Sequence, residues 1–316
     1  MRLIVILALF ATLAGAVDFV VPSAAERSRA IGSTEGSRPF LQRAFTENNS
    51  LFEPISKPSP NDWLATHNEP PQTFNAFLAG NAMKPDVLHG RLYMLPIGDF
   101  PTDVAPSLTK LSDYAQAFFG MPVTILTPVQ VDDLPAANRI NKHTHNRQLL
   151  STDILNWLNT QKPKDAFAIV AVTMEDLYPE SSWNFVFGQA SLVGGTGVFS
   201  FARYDPQFYG TPRGNDYQAV ILARSMKVLV HETGHMFGIR HCTFFRCVMN
   251  GSNHLGESDA KPHQLCPMCL RKLHSCTGFN ILAREQALLK CYEAFGMKGE
   301  AEWEGMRIKS LQFGSP

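Results

Sequence analysis

The residues best equipped for chemistry stand together: His231-Glu232-Thr233-Gly234-His235-Met236-Phe237-Gly238-Ile239-Arg240-His241. On a helix, His231 and His235 lie one turn apart on the same face, so both imidazoles can reach one ion, with Glu232 beside them. Gly238 can take a positive φ, end the helix and turn the chain back, which brings His241 to the ion from outside the helix. Three neutral histidines with an open fourth position make a catalytic zinc site rather than a closed structural one. Zinc there lowers the pKa of bound water from about 15.7 toward about 7 and polarises a carbonyl. Glu232 is then the general base, taking the water's proton and passing it to a leaving amine.

A second cluster begins one residue later. Cys242 follows His241, Cys247 comes after four residues, and Cys266 and Cys269 come after eighteen more, as Cys-Pro-Met-Cys. That spacing fits a tetrahedral four-thiolate zinc knuckle, and two disulfides or a CxxC redox pair are the alternatives. Cys276 and Cys291 remain and read as buried thiols. His143 and His145, and likewise His254 and His263, read as solvated or hydrogen-bonded loop histidines, because no third ligand is spaced to join them.

These groups need a scaffold, and the chain from Leu88 onward alternates strand and helix. Arg91 to Ile97 reads as a strand, and Leu108, Leu111, Ala115 and Phe118 recur at helical spacing until Gly120. Met121 to Leu126 is a second strand, Ser151 caps a helix carrying Ile154, Leu155 and Leu158, and Ala166 to Thr173 is a buried strand. Right-handed crossovers make this an α/β fold with a twisted, mostly parallel sheet. Val198 to Tyr204 reads as an edge strand, to which a peptide could add or which is a plain sheet edge. Tyr217 to Phe237 is a largely buried helix whose last two turns hold the histidines. Cys269 to Leu273 starts a short helix, and Phe279 to Tyr292 marks a longer one ending before Gly296.

The remainder divides by composition. Residues 1–16 join Arg2 to an apolar run and then Ala14-Gly15-Ala16, the pattern of a cleaved signal peptide. Residues 17–50 read as a flexible leader, 51–84 as a Pro-rich extension packed on the core, 85–296 as the catalytic domain with its knuckle, and 297–316 as a polar tail. Cleavage of 1–16 places the chain in the secretory pathway or outside the cell; the alternative is cytosolic. Sequons begin at Asn48 and Asn250. The 28 Lys+Arg balance 28 Asp+Glu, so no global field holds nucleic acid or an anionic membrane, and Lys261, Arg271 and Lys272 are a thin basic set. The N-terminal apolar run is too short to span a bilayer by itself, and no other stretch is long enough.

The chain resembles the archaemetzincins, and within them the animal type-2 members. The likeness rests on the HExxHxxGxxH run, the Cys directly after the third His, the Cys247-Val248-Met249 step and the later CxxC. It extends from about Leu51 to Phe295, through Ser182 to Gln189, Phe199 to Tyr204 and Gly251 to Leu255. The resemblance implies a metzincin-like fold: a mixed twisted sheet with an antiparallel edge strand, an active-site helix, a Met-turn and C-terminal helices. It also implies that Met249 is the Met-turn residue flooring the catalytic zinc. The expectation is a zinc metallopeptidase with two zinc ions, one catalytic on His231, His235 and His241 and one structural on the four cysteines. It acts on a peptide or protein substrate as a monomer, without nucleic acid or a membrane span, and both aminopeptidase and endopeptidase action stay open. The alternative is a non-catalytic zinc-stabilised protein that binds peptide or protein.

Overall fold

The apolar run Ala166–Thr173 is buried along its whole length, as a strand covered on both faces must be. In the computed structural model, which describes residues 4–7, 18–47, 51–80, 82–191 and 194–313, this run is β6, inside a six-stranded sheet. The order is β1 (Ile4–Leu7), β8 (Gly188–Ser191), β9 (Thr196–Ser200), β6, β2 (Arg91–Ile97) and β3 (Val123–Ile125). β9, β6, β2 and β3 run parallel; β8 is antiparallel to β9, and β1 to β8. A smaller sheet orders β4 (Asn138–Ile140), β5 (Arg147–Leu150) and β7 (Asp176–Tyr178).

Apart from 4–7, residues 1–16 lie outside the described residues, as does Asn48. The described residues fall into two compact units. One is drawn from Met1–Leu9, Met83–Gln116 and Met121–Met236, the other from Phe10–Ala82, Ala117–Gly120 and Phe237–Pro316.

The first unit holds both sheets. Helix α6 (Ser151–Gln161) places Ile154, Leu155 and Leu158 in an apolar cluster with Leu95, Ile97, Ile169 and Val198. Helix α7 (Tyr217–Met236) is buried without interruption from Ser225 to its end. The structure departs from the sequence pattern at three places in this unit. The strand read over Val198 to Tyr204 is β9, which ends at Ser200 and is an inner strand flanked by β6 and β8; a 3-10 turn covers Ala202–Tyr204. The strand read over Met121 to Leu126 is confined to β3. Ser151 is not a cap: it is the first residue of α6, fully buried, and its hydroxyl donates to Gln189 Oε1 at 2.6 Å.

The second unit is helical. The segment read as a flexible leader contains α1 (Ala24–Ile31), opened by a reciprocal Ser23–Glu26 capping box, and α2 (Pro39–Phe45). Ala30, Ile31, Ala44 and Phe45 are buried, and Arg307 donates to the Ala44 carbonyl at 2.7 Å. The Pro-rich stretch carries two short helices, α3 (Trp63–Thr66) and α4 (Phe74–Leu78). Beyond them come α8 (Leu255–Ala260), α9 (Pro267–Thr277) and α10 (Ile281–Phe295), the last two ended by left-handed Gly278 and Gly296. The segment read as a polar tail is α11 (Lys298–Phe313), with Glu304, Arg307 and Leu311 buried. Burial pushes the Glu304 carboxyl well up, with Glu285 adding to the effect. Among the described residues no helix is long and apolar enough to cross a membrane.

Candidate metal centre

At the end of α7, His231 and His235 stand one turn apart with their Nε2 atoms 3.1 Å from each other. Gly238 follows at φ 78°, the left-handed turn that a Cβ disfavours, and the chain reverses to His241. The three ring nitrogens lie within 4.8 Å of one another, on side chains that are all buried. Two ligands at the usual zinc–nitrogen distance on a tetrahedral ion sit about 3.3 Å apart, so the donor set fits zinc. The Glu232 carboxylate is fully buried, its Oε1 3.9 Å from His231 Nε2.

A dense set of bonds holds the turn that carries His241. The Cys242 N–H donates to the Met249 carbonyl at 2.8 Å, tying the residue after the third His to Met249, whose side chain is fully buried. The Asn250 side chain accepts from Cys247 N and donates to the carbonyls of Cys242 and Phe245. Three further residues come from the Pro-rich segment, and motif reading does not find them. Gln72 donates to the Gly238 carbonyl and accepts from Arg240 N, both at 3.0 Å. Glu69 Oε1 lies 2.6 Å from His241 Nδ1 and accepts from Trp63 Nε1 at 2.8 Å. The only sequence signal was Trp63 and Glu69 in a stretch stiffened by Pro70 and Pro71.

The four cysteines of the second cluster also converge, with sulfurs within 4.8 Å of one another. Cys242 and Cys266 Sγ are 3.7 Å apart, close to the roughly 3.8 Å edge of a zinc–thiolate tetrahedron and far from the roughly 2.05 Å of a disulfide. Cys242, Cys247, Cys266 and Cys269 are not joined by disulfides, so the two-disulfide alternative is not the arrangement found. Hydrogen bonds from Cys247, Cys266 and Cys269 draw the Cys242 thiol well below its usual range. Cys266 is pushed well up by burial, and Cys269 by its sulfur neighbours, Cys242 first. A cation bound among the four sulfurs would hold them all as thiolates, and the donor set suits zinc. Cys276 and Cys291, read as buried, are half-buried.

A third group, Asp62, His254 and Glu257, also comes within ligand distance. His254 Nδ1 accepts the Glu257 N–H at the start of α8, which leaves the proton on Nε2 to face Asp62 Oδ1 at 3.2 Å. Both ring nitrogens are thereby engaged, and His254 is a hydrogen-bonded loop histidine. His263 is buried, with Nδ1 3.3 Å from Glu300. His143 and His145 join none of the metal-competent groups found among the described residues.

Comparison with known proteins places this geometry. The model of peptidase family M54 matches residues 124–275, a span that includes both clusters. Archaemetzincin-2 of Mus musculus is 43% identical over 282 residues, covering 81% of this chain and 79% of its own length. Archaemetzincin-2 of Homo sapiens is 41% identical over the same length, covering 81% and 78%. Archaemetzincin-1 of Mus musculus is 33% identical, covering 79% of this chain and 56% of its own. A relative alike along most of both chains, together with histidine and cysteine groups built for metal, shows that the chain belongs to the archaemetzincin family and is a zinc metallopeptidase.

Proposed function

We propose that His231, His235 and His241 hold the zinc at which peptide bonds are hydrolysed, that Glu232 moves the protons, and that Cys242, Cys247, Cys266 and Cys269 hold a second, structural zinc. The observation that carries this reading is the three ring nitrogens within 4.8 Å of one another, with the Glu232 carboxylate fully buried alongside. Zinc bound there supplies a Lewis acid for the scissile carbonyl and acidifies water toward neutrality. Glu232 takes the proton of the attacking water and returns it to the departing nitrogen; its burial shields that proton from exchange with bulk solvent. The two α7 histidines are oriented by the helix, and His241 by the turn that Gly238 permits. Met249 serves as the Met-turn residue, since its carbonyl fixes the N–H one residue past His241. The four cysteines brace the same turn through Cys242. The substrate is a peptide or protein, handled by one chain.

Glu232→Gln tests the reading, because the amide fills the same space but cannot take up the water's proton. The variant should keep zinc and lose peptide hydrolysis by about 10²- to 10⁴-fold. Cleavage at the parent rate would refute the role of Glu232. Peptide binding without cleavage by the zinc-loaded parent would replace the enzyme with a binding protein.

A further inference from the structure

We propose that Glu69 is the positioning carboxylate of the metal site, holding His241 in the orientation and tautomer that zinc requires, so that the segment from Trp63 to Gln72 is part of the site. The inference rests on His241 being a metal ligand, as proposed above.

His231 and His235 project from a continuous helix, which fixes their backbones. His241 has no such support, because it stands beyond the helix end on a turn, and turns open more easily than helices. Its ring must therefore be held by side chains. The Glu69 carboxylate lies 2.6 Å from His241 Nδ1, a charge-assisted hydrogen bond that places the ring proton on Nδ1 and leaves the Nε2 lone pair for a metal. An anion on the far nitrogen also makes the imidazole a stronger donor.

Glu69 is itself fixed. Pro70 and Pro71 follow it, and a residue before proline is held extended. The same Oε1 accepts from Trp63 Nε1 at 2.8 Å. The Trp63 indole stacks on His67 at 3.7 Å, with 2° between the ring planes, and meets the His241 ring edge-on at 5.0 Å. The backbone at Gly251 comes so close that a Cβ there would stand 2.5 Å from Trp63 Cδ1, so the indole has no room to swing.

Three residues beyond Glu69, Gln72 grips the backbone of the turn at Gly238 and Arg240. Lys272 of α9 anchors Gln72 in turn, its Nζ 2.6 Å from the Gln72 carbonyl and 3.1 Å from Oε1. One segment thus holds both the ring of the third histidine and the backbone that leads to it. That segment lies outside residues 124–275, the span matched by the family model.

The test uses full-length parent, Glu69→Ala, Glu69→Gln and His241→Ala proteins. Bound zinc is competed with a chelator of known affinity, and the visible absorption of the cobalt-loaded histidine site is recorded. Glu69→Ala should weaken the more labile zinc by about 10- to 100-fold and alter the cobalt spectrum, while the four-thiolate zinc stays bound. Glu69→Gln, whose amide oxygen still accepts the Nδ1 proton, should recover part of the affinity and the parent spectrum. Affinity within about twofold of the parent in Glu69→Ala, equal loss from both sites, or a Gln variant no better than Ala each overturns the proposal. If His241→Ala keeps the parent affinity, the ligand assignment fails instead, so the two failures are distinguishable.

Discussion

Replacing Gly238 by Ala asks whether the turn after α7 has to be glycine. Gly238 sits at φ 78°, and a residue with a Cβ pays about 1 kcal/mol to adopt that left-handed conformation. The new Cβ would stand 2.8 Å from the Cβ and 3.2 Å from the Cα of Ala82, against an ordinary carbon contact of about 3.5–4.0 Å. Neither atom is the end of a flexible side chain, so relief means moving backbone, and such overpacking costs about 1–3 kcal/mol. The whole substitution should therefore destabilise by about 2–4 kcal/mol. Gly278 supplies the control: its φ is 65° and a Cβ there meets nothing within 4 Å. Gly278→Ala should carry only the conformational part, about 1 kcal/mol. Urea unfolding at saturating zinc, followed by tryptophan fluorescence, compares the two variants. The Gly238→Ala midpoint should fall clearly further, and its labile zinc should exchange faster because the displaced turn carries His241. Equal midpoints would show that Ala82 gives way freely and that the close contact is not a constraint.

Two further outcomes are expected. Cys269→Ser should weaken the labile zinc by about 10- to 100-fold, because the thiolate cluster fixes Cys242, one residue from His241, whereas Cys291→Ser should not; equal affinities in the two variants would show independent sites. Asp205, held below the usual carboxylate range by the Arg213 guanidinium, contributes stability that is complete above its unfolded pKa and is lost as pH falls through its lower folded value. The gap in melting temperature between the parent and Asp205→Asn should thus stay constant at neutral pH and narrow below about pH 4; a gap that widened in acid would contradict the pairing.

The chemistry is legible in the sequence wherever it is local. His231, His235, Gly238 and His241 are spaced by helix geometry and one turn, and the four cysteines by the reach of a single loop. The continuous apolar run of β6 likewise announces a strand buried on both faces. What escapes is what the fold brings from afar. Glu69 and His241 are 172 residues apart, and nothing periodic joins them. Alternation in Val198 to Tyr204 reports burial of a face but not which edge is paired, so an inner strand reads as an outer one. In α11 the buried positions include Glu304 and Arg307, so no apolar stripe marks the helix and it passes for a polar tail.

The sequon at Asn250 would be open to glycosylation only before its loop closes. Both hydrogens of its amide are engaged by the Cys242 and Phe245 carbonyls, its oxygen accepts from Cys247 N, and the Ser252 hydroxyl faces Lys261 Nζ at 3.1 Å. A transferase needs that amide and hydroxyl in an accessible strip of chain. Closure of the loop removes both, while a sugar attached first would take one of the two hydrogens that the closed loop uses. In any compartment that attaches such glycans, closing this loop and modifying Asn250 exclude one another, and the mass of each finished chain records which happened first.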